Sequence, residues 1–276
     1  MCCDINVDIF EMDEFVKDQL QRPYKCANVL SMLEKLNKGQ RVIFTKFGDG
    51  EIMCMKHITG QNCDHDTYSP ELGDKLKDAF VTLCLRSAED NIYIGRWHAD
   101  DLNAFLLQLL YERGVHVCET PPFVHYHFVY PDHKFALDAN MYCFVDCIQG
   151  CNRHKVVVSN STNRRLETIF KGLSFIELPH NSWFVNGQYD TVKGHVSEML
   201  NVYNDGIVLI AGGLASKVLI NELSMEYKNA SFIDIGSGFD ILCQKRATRS
   251  WNEISGFPNS FENQKRYFGA LLPDDF

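Results

Sequence analysis

The chain has 276 residues, 45% hydrophobic and 12% aromatic, enough apolar surface to bury a large core and to exclude a disordered polymer. Its formal net charge of -9 repels a nucleic-acid backbone. Its densest basic stretches, Asn163-Arg164-Arg165 and Lys245-Arg246 with Arg249, suffice for one or two phosphates but not for a polynucleotide.

The N-terminus, Met1-Cys2-Cys3-Asp4-Ile5, has neither a basic region nor an apolar run, so no export signal is expected. It also lacks the glycine after Met1 that myristoylation requires. Eleven cysteines, an odd count, read as free thiols in a reducing compartment, hence a cytoplasmic protein. No apolar stretch approaches the ~20 residues that span a bilayer.

Apolar residues at three- and four-residue spacing predict helices over Glu11–Leu20 and Cys26–Leu36, the second closed by Gly39. Val42-Ile43-Phe44 follows as a strand that breaks at Gly48-Asp49-Gly50. Helix and strand then alternate. Leu72–Leu85, Leu102–Tyr111, Phe135–Ile148, Asn163–Phe170, Val192–Tyr203 and Ser216–Tyr227 read as helices. Ile92–Ile94, Val115–Val117, Lys155–Val158, Phe175–Leu178, Ile207–Ala211 and Ser231–Ile235 read as strands. Fully apolar strands between helices imply a sheet covered on both faces. The expected fold is therefore α/β: a Rossmann-like, mostly parallel sheet with helices on both faces. No linker interrupts it, which gives one domain over 1–276, with N-terminal helices (1–40), a core (41–245) and a tail (246–276). In such sheets ligands bind beyond the carboxyl ends of the strands.

Lys46-Phe47-Gly48-Asp49-Gly50-Glu51 lies at that edge. Gly48 and Gly50 permit a tight turn, and Asp49 and Glu51 are hard oxygen ligands one residue apart. That spacing suits a divalent cation, Mn2+ or Mg2+, whose open positions substrate phosphates fill. An ordinary Gly-Asp-Gly turn explains the same residues equally well. The strand Ile207–Ala211 runs into Gly212-Gly213-Leu214-Ala215-Ser216-Lys217 and a helix, an arrangement that offers backbone N–H groups to an anion. It is not a Walker loop. Phe232-Ile233-Asp234-Ile235-Gly236-Ser237-Gly238-Phe239-Asp240 follows.

Phe44–Glu51 resembles the signature near the start of GT-D-type glycosyltransferases, an aromatic-Gly-Asp-Gly-Glu stretch after the first strand. The 207–240 region resembles that family's C-terminal half, and Val156–Phe170 with Glu177-Leu178-Pro179 and Asn181-Ser182-Trp183 resembles its middle. Lys46 stands where the family often has Arg, and Ser237-Gly238 where variants carry a histidine. The resemblance implies transfer of a sugar from a nucleotide-sugar, UDP-sugar foremost, to a glycan or glycoprotein acceptor. Asp49 and Glu51 would be at the metal, with Lys46, Gly48, Gly50, Gly212, Gly213, Ser216, Asp234, Ser237 and Arg249 around the donor.

Two other functions fit parts of the sequence. Asp234-Ile235-Gly236-Ser237-Gly238 is similar to the first motif of S-adenosylmethionine methyltransferases, but only 36 residues follow Asp240, whereas that motif opens its domain. A non-catalytic nucleotide-binding protein would keep the same fold. Gly95-Arg96-Trp97-His98-Ala99-Asp100-Asp101 reaches the same edge, where Asp100, Asp101 or His98 is placed to cap a helix or to act as general base. Arg246 is a further diphosphate contact or a surface arginine. His125, His127 and His133 lie in an aromatic stretch that reads as a sugar-facing loop or a packed connector. Cys143, Cys147 and Cys151, with His154, have zinc-like spacing. They also form one stripe of an apolar helix, the commoner use of buried cysteine.

Overall fold

Seven strands form one sheet in the order β3-β2-β1-β7-β6-β4-β5, and every neighbouring pair is parallel. The computed structural model describes residues 29–86, 91–96, 100–115, 123–125, 140–170, 173–179, 181–245, 260–274 and 276. The strands are β1 (Ile43–Phe47), β2 (Ile92–Arg96), β3 (Phe123–His125), β4 (Lys155–Ser159), β5 (Leu173–Glu177), β6 (Ile207–Ala211) and β7 (Ser231–Asp234). The α-helices are α1 (Val29–Asn37), α2 (Asp49–Met55), α3 (Pro70–Arg86), α4 (Asp100–Glu112) and α5 (Asn140–Gly150) in the first half. In the second half they are α6 (Leu166–Ile169), α7 (Tyr189–Val202), α8 (Ala215–Glu226), α9 (Asp240–Gln244) and α10 (Phe261–Phe268).

Alternate residues of each central strand feed two separate cores. Ile43, Phe47, Val156, Val158, Val208 and Ile210 pack with α2, α3, α4, α7 and α8 on one face. Phe44, Val157, Leu209 and Ile233 pack with α1, α5, α6, α9 and α10 on the other. This explains why these strands carry apolar side chains on both sides. Crossovers that move one way along the sheet, such as β1 to β2 and β6 to β7, pass over the first face. Those that move the other way, β3 to β4 and β4 to β5, pass over the second. One hand of crossover requires this division. The chain therefore leaves β1 through α2 on one face and leaves the adjacent β7 through α9 on the opposite face. The β1–β7 boundary is a topological switch point, where doubly wound sheets open a crevice.

Several boundaries differ from the sequence expectation. Val115 begins no strand: its N–H closes the end of α4 on Leu110 O beside Gly114 at φ +66, a C-terminal cap; residues 116–117 lie outside the described ones. The strand beside β2 is Phe123–His125. The helix expected over 163–170 splits into a 3-10 turn, Ser161–Asn163, and the short α6, because the Asn160 side chain accepts from Thr162 N–H and starts the turn early. β5 starts two residues before Phe175, its register fixed by pairing Lys155 with Leu173. The expected helix over Glu11–Leu20 and residues 135–139 lie outside the described residues.

One glycine decides how α2 and α3 meet. A Cβ on Gly73 would stand 2.3 Å from Cys54 O and 3.0 Å from the His57 ring. Helix propensity alone favours alanine there by about 1 kcal/mol, but the obstacle is backbone and cannot rotate away. Gly73→Ala is expected to destabilise by about 1–3 kcal/mol, read as a lower calorimetric midpoint. A higher midpoint would show that the helices separate freely.

Candidate active site

The aromatic-Gly-Asp-Gly-Glu segment is the first turn of a helix, not a loop. Gly48, extended at φ -110, is the N-cap of α2, and Asp49 through Glu51 are its opening residues. Residues two apart on a helix point to different sides. Asp49 is exposed, whereas Glu51 is buried with 7% of its surface accessible. Glu51 Oε2 accepts from Gly48 N–H at 2.9 Å, satisfying a donor that the helix start leaves unpaired. Lys46, one residue before the end of β1, is buried on the sheet face opposite Phe47.

The other Glu51 oxygen meets a buried lysine. Lys217, in the first turn of α8, places Nζ 3.0 Å from Glu51 Oε1 and 3.0 Å from Asp234 Oδ2, at the end of β7. It also donates to Gly213 O at 3.1 Å and to Ser216 Oγ at 3.3 Å. Asp234 Oδ2 has no aligned hydrogen bond, so its contact with Lys217 is an ion pair. Asp234 Oδ1 accepts from Gly236 N–H at 3.0 Å and shapes the 236–238 turn. Burial alone would push the Lys217 ammonium toward neutrality; the Asp234 and Glu51 carboxylates outweigh it and raise its pKa. Two acids and one base leave a net charge of -1 at the floor of the crevice.

The glycine turn before α8 is filled from within the protein. Gly213 has φ +64, and a Cβ there would lie 1.9 Å from Asp66 Oδ2. Asp66, 5% exposed, comes from the loop between α2 and α3. It accepts from Leu214 N–H at 3.1 Å, Ser182 N–H at 2.7 Å and Asn62 Nδ2 at 3.4 Å. Burial raises its pKa, and these N–H donors pull the other way. Asn62 Oδ1 holds the loop by accepting from Asp64 and Asp66 N–H. Asn62 Cβ lies 3.1 Å from where a Cβ on Gly50 would stand. Trp183 Nε1 donates to Gly212 O at 2.9 Å, and the Trp183 ring stacks on Tyr189. Of the N–H groups expected for a phosphate, Leu214's is therefore occupied by a carboxylate.

The structure brings Lys46, Gly48–Glu51, Gly212, Gly213, Ser216 and Asp234 to one edge around the β1–β7 boundary, with half-buried Ser237 in the turn after β7. Asp100 opens α4 after β2 at the same edge, but its side chain and that of Asp101 lie outside the described residues, as do His98, Arg246, Arg249, His127 and His133. Backbone pairing places His125 in β3. Lys217, Asp66, Asn62 and Tyr68 join the site without any role that their local sequence implies. A lysine in the first turn after a fully apolar strand was the available signal for Lys217. Nothing in local spacing marks Asp66. Tyr68 is half-buried, and its phenol pKa is raised by burial and by Asp49 and Glu51, which keeps it a neutral donor.

A divalent ion fits this arrangement through Asp49 alone, as one carboxylate with water and phosphate completing the shell. Glu51 does not fit as a second direct ligand, because Gly48 and Lys217 engage both its oxygens. Among the described residues no group of three or more His, Cys, Asp or Glu is placed to hold a metal. Cys147 donates instead to Leu33 O and Asn37 Oδ1, and the His154 ring stacks on Tyr203. Among the described residues seven cysteines are free thiols. Among the described residues no helix is long and apolar enough to cross a membrane.

No protein-family model and no curated protein matches the chain. Solved structures do. One, described as a domain of unknown function 1792, is 15% identical with a TM-score of 0.57, covering 95% of this chain and 94% of that one. A second, described as that highly conserved domain with "a distinct glycosyltransferase fold", is 15% identical with a TM-score of 0.56 over the same shares. A third, "a new glycosyltransferase" of this type from Streptococcus sanguinis, is 16% identical with a TM-score of 0.53, covering 91% of this chain and 94% of that one. The chain has their fold.

Removing the central cation leaves Glu51 and Asp234 facing each other without compensation. Lys217→Met is expected to cost about 3–5 kcal/mol near neutral pH. Chemical denaturation of the variant against wild type at pH 7 measures this. An unchanged stability would mean that the Lys217 ion pairs do not hold these segments together.

Proposed function

We propose that this glycosyltransferase-fold chain is a metal-dependent glycosyltransferase. It would use a nucleotide-sugar donor, UDP-sugar foremost, and a glycan or glycoprotein acceptor. The observation that carries the reading is an exposed Asp49 at the β1–β7 switch point, two residues before the Glu51 of the buried Glu51–Lys217–Asp234 set. The likeness to structures described as glycosyltransferases supports it.

Asp49 is the residue that would hold Mn2+ or Mg2+. The ion supplies charge neutralisation for a departing diphosphate. Glu51 acts behind it: by accepting from Gly48 and pairing with Lys217 it fixes the helix turn that aims Asp49 outward. Lys46 and Ser237 flank the same crevice as donor contacts, and Tyr68 offers a neutral O–H beside Asp49. Asp100, at the start of α4 on the same edge, is the general base assigned to the acceptor hydroxyl. Arg249 is retained as a diphosphate contact on the sequence resemblance. Preorganised charges of this kind lower the barrier without reorganising during reaction.

A panel of nucleotide-sugars with Mn2+, scored for hydrolysis, transfer and thermal stabilisation, tests the donor. Asp49→Asn should reduce turnover by roughly 100-fold or more while the fold persists. Unchanged turnover would remove Asp49 from the metal. If no nucleotide-sugar is turned over or stabilises the protein, the donor assignment fails as a whole.

A further inference from the structure

At the opposite, amino edge of the sheet, three consecutive residues with cationic or titratable side chains, Arg153, His154 and Lys155, line an open cavity of about 630 Å3 together with Tyr203 and Asp205 among others. Lys155 is the first residue of β4; Tyr203 and Asp205 precede β6. This edge is remote from the switch crevice, so the cavity is separate from the donor site.

Arg153 and Lys155 are each only 8% exposed. Among the described residues neither has a carboxylate within 4.0 Å. Arg153 donates to Asp205 O, Gln40 O, Gly206 O and Asn229 O, stapling the entrances of β1, β6 and β7. Lys155 donates to Cys151 O, just past the end of α5. Carbonyls satisfy donors without cancelling charge, and isolated buried cations are costly. Asp205, an exposed residue that lines the same cavity, acts on the Arg153 charge from beyond 4.0 Å and offsets it only in part. Donors are left over: five guanidinium N–H minus four leaves one on Arg153, and three ammonium N–H minus one leaves two on Lys155. His154 is held toward its neutral form by burial and by Lys155, and its ring stacks on Tyr203 at 3.7 Å and 12°.

We propose that this cavity is an anion site for a small phosphorylated ligand, its phosphate received by the free donors of Lys155 and Arg153 beside the His154–Tyr203 stack. The phosphate supplies a counter-charge in direct contact, which Asp205, beyond 4.0 Å of both cations, does not. Removing one cation should therefore mimic, rather than oppose, what the ligand does for stability.

Inorganic phosphate is the probe, compared with sodium chloride at matched ionic strength on the full chain. Wild type should gain about 2–4 °C in midpoint with phosphate. Lys155→Met should melt no lower than wild type without phosphate and should not respond to it. Equal phosphate shifts in both proteins, or none in wild type, would overturn the site. If Lys155→Met does not fold, amide shifts in wild type decide: phosphate should perturb residues 151–155 and 203–206. Perturbation confined to 48–51 and 212–216 would refute the assignment.

Discussion

The ammonium of Lys217 is the interaction on which the carboxyl edge depends. It is shared by a carboxylate from the start of α2 and one from the end of β7, two segments that leave the sheet on opposite faces. A switch point separates chain segments by topology; here a single buried cation draws them back together. Two carboxylates buried this close together need a shared counter-charge, and Lys217 is the cation that touches both. The lysine belongs to α8, so this helix is fixed against both β1 and β7, and contacts from α8 to each strand follow. The ion triad costs desolvation, and what it delivers is a defined position for the turn that carries Asp49.

The glycines of both motifs acquire a common explanation. Gly50 and Gly213 invite the idea of a ligand approaching bare backbone. What approaches them is one loop of the protein, Asn62 against the first and Asp66 against the second. That loop also receives Ser182 from the segment after β5, so it ties β1, β5 and β6 across the top of the sheet. Asp66 takes the place at α8 that a phosphate would, its carboxyl accepting the Leu214 N–H at the helix start.

Much of the fold was legible because its causes are local. Ile207–Ala211 has no polar side chain and sits buried between two strands; Leu72, Leu76, Phe80 and Leu83 repeat at helical spacing and face the core. The 163–170 segment was misread because an Asn160 side chain, not apolar periodicity, sets its turn. The site was legible only in outline. Asp49 and Glu51 fall at the expected edge, but their divergence depends on α2 beginning at Asp49, which two glycines disguise as a loop. Lys217 and Asp66 act through partners 166 and 148 residues away, Glu51 for the first and Leu214 for the second, and no spacing rule spans that distance.

Charge counting constrains what can enter the crevice. Among the described side chains at this edge, Asp49, Glu51, Asp66 and Asp234 carry four formal negative charges and Lys217 and Lys46 two positive ones, a balance of -2; the side chains of Arg96, Arg246 and Arg249 lie outside the described residues and are not in that count. A diphosphate donor would enter against that charge, in a chain already at -9. The buried lysine cannot help, since both its charge partners are internal. In the proposed reading a divalent cation offsets this charge, and Asp49 is the exposed carboxylate that would receive it. The charge balance of the described residues supports that proposal more than the spacing of two acids along the chain does.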